Sequence, residues 1–71
     1  MALTDLVRML NQIAANFSYE EPSRAAQEVA SHLRSFWTPQ MREEILEHGR
    51  ENPDDLSDVA KLALGQLAAL S

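Results

Sequence analysis

Three prolines, Pro22, Pro39 and Pro53, decide how this 71-residue chain can be divided. Proline fixes its own φ and has no N–H to donate, so it suits the first turn of a helix and pushes the preceding residue out of helical geometry. Thr38 and Asn52, which precede Pro39 and Pro53, are good N-cap residues, and "SYEEPS" interrupts the pattern before Pro22. Between these breaks the apolar residues recur at three- and four-residue steps, with no β-branched run and no hairpin turn. The chain therefore reads as all-α: a compact bundle of about four short helices forming a single helical domain over 1–71.

The spacing predicts helix one over about 4–17, with Leu6, Met9, Leu10, Ile13 and Phe17 inward, Thr4 as N-cap and Asp5 in an acidic first turn. Helix two is predicted over about 22–37 with two adjacent ridges, Ala25, Val29, His32, Phe36 and Ala26, Ala30, Leu33, Trp37. Helix three spans about 39–48, with Met41, Ile45 and Leu46 inward. Gly49 is expected as a left-handed C-terminal residue after His48, whose charge would suit a last turn. Helix four spans about 53–69 behind Asn52, with Leu56, Val59, Ala60, Ala63, Leu67 and Leu70 inward, and Gly65 weakens it by about 1 kcal/mol relative to alanine.

A chain this short removes only about 60% of its unfolded surface from water, so its stability is marginal and a binding partner would add to it. It has no cysteine, which excludes disulfides, thiolate metal sites and iron–sulfur ligation and makes the cytoplasm the expected compartment. "MALTDLVRML" has neither a basic region nor a long apolar run, and no stretch reaches the roughly 20 apolar residues of a membrane span, so a soluble chain with no membrane partner is expected. Net charge is −5, from six Lys plus Arg and eleven Asp plus Glu, which disfavours nucleic acid. Seven of the acids fall within 40–58, where they read either as a solvated helix face or as an electrostatic docking surface.

The segment "SHLRSFWTPQMREE" (31–44) places Phe36 and Trp37 immediately before the Thr38–Pro39 step, with Arg34 and Arg42 on either side. Adjacent helical residues point about 100° apart, so the two rings cannot aim at one spot. Either both close a small core at this corner, or one fills the core while the other is an anchor for another protein, a role in which tryptophan is over-represented. Arg8, Arg24, Arg50 and Lys61 each have an acid three or four residues away, at Asp5, at Glu20, Glu21 and Glu28, at Glu47 and at Asp58 respectively. Arg34 and Arg42 do not, and Arg42 also occupies a first turn, where the helix dipole disfavours a cation. Their partners lie in tertiary contacts, in stacking on Trp37, or on an acidic group of a second chain, and Trp37, Arg34 and Arg42 together are expected to form a docking corner.

Catalytic patterns are missing. There is no Gly-rich phosphate loop, no paired zinc histidines and no nucleophile with an adjacent base; His32 and His48 lie on different predicted helices. His32 reads as a half-buried residue making one hydrogen bond, and Glu43, Glu44 and Glu47 as solvated carboxylates rather than a cation site. "DDLSD" has the order Asp-Leu-Ser, not the Asp-Ser-Leu of a carrier-protein attachment serine.

"LVRMLNQIAANF" (6–17), "ASHLRSFWTPQMREEILEH" (30–48) and the later "DLSDVAKLAL" together resemble the delta subunit of NAD-dependent, molybdenum-containing formate dehydrogenases. The resemblance rests on Arg-Met-x-Asn-Gln-Ile and on His-x-x-x-Phe-Trp-x-Pro-x-Met-Arg. Arg8, Met9, Asn11, Gln12 and Ile13 match the first block; His32, Phe36, Trp37, Pro39, Met41 and Arg42 match the second. It implies a small accessory subunit with no redox centre or cofactor of its own, which binds the large molybdopterin-containing subunit and supports a mature, stable complex.

The residues and the resemblance converge on a non-catalytic interaction protein whose partner-binding residues are Arg34, Phe36, Trp37, Pro39, Met41, Arg42, Asn11, Gln12 and His32. Asn11 and Gln12 either contact the partner, tie helix one to the turn, or lie exposed on their helix. Two other readings stand beside this one. The chain is a free-standing helical adaptor or small homodimer, unrelated to formate oxidation, that pairs through its apolar last helix; or it is an enzyme acting through His32 or His48, which needs a pocket that four short helices hardly enclose.

Overall fold

The computed structural model describes residues 2–70; Met1 and Ser71, part of the expected 1–71 domain, lie outside the described residues. Four α-helices follow one another, α1 (Leu3–Asn16), α2 (Pro22–Phe36), α3 (Pro39–Glu51) and α4 (Asp58–Leu70), with a short 3-10 turn at Pro53–Asp55 and no strand among the described residues. The radius of gyration, 10.6 Å, is close to the roughly 11 Å of a compact globule of this length. No helix in the described residues is long and apolar enough to cross a membrane.

Two of the proline breaks work as the sequence suggests. Pro22 opens α2, where Glu21 accepts a hydrogen bond from the Ser23 N–H at 2.9 Å. Pro39 opens α3, where the Thr38 hydroxyl accepts from the Met41 N–H at 3.2 Å. At α1, by contrast, Thr4 is not the cap: the Ala2 carbonyl accepts from the Asp5 and Leu6 amides, so backbone alone starts the helix one residue earlier. Asp5 does sit in the first turn.

The third proline starts a 3-10 turn and no long helix, because Leu56 adopts an extended backbone and buries its side chain in the core. Ser57 then becomes the cap, its hydroxyl accepting from the Ala60 N–H and its carbonyl from the Lys61 N–H. Gly49 is likewise not a left-handed terminator; no glycine has positive φ, and α3 runs two residues past it. Its missing Cβ serves close approach instead. A Cβ built there would lie 2.7 Å from Leu64 Cδ1, so hydrogen at this position lets α4 settle against α3.

The core joins Leu6, Leu10 and Ala14 of α1 to Ala26, Val29, Ala30 and Leu33 of α2, with Ile45 of α3 and Ala60, Ala63, Leu64 and Leu67 of α4. The most extensive pairing is between α2 and α4. Alanines on both helices let the backbones come close, which explains how so small a chain forms a close-packed interior. The apolar stripe of α4 is thus used internally: Leu64 replaces Leu70 among its inward residues, and Leu62 and Leu70 are left about half exposed.

Candidate functional site

The bend between α2 and α3 separates its two aromatics. Trp37 is the C-cap of α2 and is 5% exposed, packed in the core. Phe36, one residue earlier and about 100° around the helix, is 74% exposed. The ring presented at this corner is therefore the phenyl and not the indole, which corrects the expectation of a docking tryptophan. The ridge of Ala26, Ala30, Leu33 and Trp37 is buried throughout, whereas the ridge of Ala25 and Val29 turns outward at His32 and Phe36.

The two arginines have different fates. Arg42 Nη1 donates to the carbonyl oxygens of Trp37 at 2.7 Å and Arg34 at 3.2 Å. Those are end carbonyls of α2, which have no partner within the helix and carry the negative end of its dipole. A cation poorly placed in the first turn of α3 is thus well placed at the last turn of α2. It pins the corner, and the partners of Arg42 are tertiary contacts within the chain. Arg34 is exposed, forms no ion pair among the described residues, and lines a different depression between α2 and α4 with Arg24, Glu28, Ser31 and Gln66. It does not join Phe36.

Asn11 ties α1 to the turn before α4. Its Nδ2 donates to the Asp55 carbonyl at 2.9 Å and its Oδ1 accepts from the Ser57 N–H at 3.0 Å. His48 supports the same junction, its Nε2 lying 2.9 Å from Asp55 Oδ2. Gln12, one residue on, is exposed and donates a 3.4 Å hydrogen bond to Asn16 of its own helix. The Arg8–Asp5, Arg24–Glu20 and Lys61–Asp58 pairs form at 2.8, 3.3 and 3.6 Å; the expected Arg50–Glu47 pair is not present among the described residues.

What gathers around Phe36 is an open groove of about 650 Å3 between α1 and the α2–α3 corner. Arg8, Met9, Gln12 and Ile13 form its α1 wall; His32, Phe36, the edge of Trp37, and Met41 form the other. His32 is half-buried, and its ring centroid lies 4.8 Å from that of Phe36 at a 38° tilt. The single hydrogen bond expected for it is not made among the described residues. Pro39 is exposed at the start of α3. Sequence reading singled out neither Met9 nor Ile13 as a surface residue, because helical spacing marks both as inward; they are half-buried and complete the groove.

The groove is open, and among the described residues no group of three or more His, Cys, Asp or Glu could hold a metal ion. Among the described residues, Glu21, far from this corner in sequence, has its carboxylate held below its usual range by hydrogen bonds from the Ser23 side chain and amide.

All eight groove residues come from the two blocks "RMLNQI" and "HLRSFWTPQMR", one on α1 and one across the α2–α3 corner. Nothing among curated proteins or solved structures matches the chain. A family model does match, over residues 5–64 and hence most of the 71 residues. On that match, which contains both blocks, the chain belongs to the NADH-dependent formate dehydrogenase delta subunit family.

Proposed function

We propose that this chain is a non-catalytic accessory subunit that binds the large, molybdopterin-containing subunit of an NAD-dependent formate dehydrogenase and supports its assembly or stability, docking through the groove beside Phe36. One observation carries the reading: a phenyl ring 74% exposed on a small chain with a close-packed interior, seated where the two family blocks meet. Large apolar side chains exposed beside a groove are the usual anchors of protein interfaces. Met9, Ile13 and Met41 extend the apolar surface around it, and His32 supports the ring. Trp37, Arg42 and Asn11 contribute by holding the corner and the α1 junction in place. Self-pairing through α4 has less to support it, since the apolar stripe of that helix already covers α2.

The test is co-expression with the large subunit. Phe36→Glu is expected to abolish co-purification and lower formate-dependent NAD reduction while the melting temperature of the isolated chain changes little. Unchanged co-purification and unchanged NAD reduction in Phe36→Glu would overturn the reading.

A further inference from the structure

No carboxylate lines the groove beside Phe36. Its charged or titratable members are Arg8 and His32, although the chain has eleven acids against six Lys plus Arg. The acids collect elsewhere; Glu43, Glu44 and Glu47 border a separate depression along α3. An apolar floor with the Arg8 guanidinium at its rim and its one nearby acid, Asp5, paired to that group favours a negative group over a positive one.

Arg8 is free to change partners. Its side chain is 81% exposed, and its 2.8 Å contact with Asp5 is a pair one turn apart on the surface of α1, an arrangement that contributes little in water. The floor is adaptable as well, because Met9 and Met41 are unbranched and fit irregular shapes.

We infer that the groove takes an apolar segment of the large subunit that carries a carboxylate beside its anchoring side chain. The anchor covers Phe36 and rests on Met9 and Met41; the carboxylate replaces Asp5 on Arg8. This inference rests on the docking role proposed for Phe36, and the experiment separates the two.

The affinity of the purified large subunit for the chain is measured by calorimetry at low and high salt. Arg8→Glu is expected to weaken binding by about 5- to 10-fold at low salt. That difference should shrink near 1 M salt, where charges are screened beyond about 3 Å. Asp5→Asn, which removes the competing carboxylate, is expected to bind at least as tightly as the parent, and Phe36→Ala to bind at least about tenfold more weakly. If Arg8→Glu binds like the parent, or loses the same factor at every salt concentration, while Phe36→Ala still binds weakly, the carboxylate is refuted and apolar docking stands. If Phe36→Ala also binds like the parent, both are overturned.

Discussion

Asn11 offers a sharp test of how this small fold is joined. Its side-chain amide makes two hydrogen bonds across 44 and 46 residues of sequence, donating to the Asp55 carbonyl and accepting from the Ser57 amide. Each is worth about 1 kcal/mol net, so Asn11→Ala removes about 2 kcal/mol. Alanine is the better helix former and returns roughly 0.6 kcal/mol at this mid-helix position. The net loss of about 1.4 kcal/mol corresponds to a melting temperature lower by about 6–11 °C in a domain of this size. Asn11→Asp keeps the acceptor for Ser57 but sets an oxygen against the Asp55 carbonyl, and is expected to cost at least as much near neutral pH. The control is the neighbouring Gln12→Ala, which loses only a 3.4 Å contact within α1 and should change stability by less than about 0.5 kcal/mol. Thermal unfolding followed by circular dichroism reads all three. Equal melting temperatures for Asn11→Ala and Gln12→Ala would refute the idea that this amide holds α1 to the start of α4.

Further outcomes follow from the same packing. Trp37→Ala should cost about 3–5 kcal/mol and leave so small a chain largely unfolded, whereas Phe36→Ala should move stability by less than about 1 kcal/mol, both read by denaturant titration. Gly65→Ala should stabilise by up to about 1 kcal/mol, since nothing lies within 4 Å of the added Cβ; Gly49→Ala must displace Leu64 and should gain less, on the same melting assay. For Glu21, hydrogen bonds from Ser23 lower the folded-state pKa, so its contribution is present above the unfolded-state value and lost as pH falls through the folded one. Melting temperature should therefore drop less steeply on acidification in Glu21→Gln than in the parent.

The sites that sequence reading placed correctly are those ruled by neighbours in the chain. Pro22 and Pro39 open helices because proline does so locally, Thr38 caps because its hydroxyl reaches an amide three residues on, and Leu6, Leu10, Leu33 and Ile45 are buried because helical spacing puts them on one face. The misplacements share a cause. Thr4 lost the cap to the Ala2 carbonyl, and the helix expected from Pro53 broke at Leu56 because that side chain is buried across the bundle.

Spacing and the placement of the prolines determined that four short helices form and that one corner holds Phe36, Trp37 and two arginines, while the resemblance to a delta subunit rested on the motifs of residues 8–13 and 32–42. Which ring faces outward was decided by the rotation of α2 once its alanine ridge packed on α4: that rotation buries Trp37 and leaves Phe36 in solvent. Likewise, only the folded arrangement brings the end carbonyls of α2 to Arg42, Ser57 to Asn11, and Leu64 to the bare backbone of Gly49. Local periodicity fixes which residues share a helix face, but the partner that meets each face comes from distant parts of the chain, and only packing selects it.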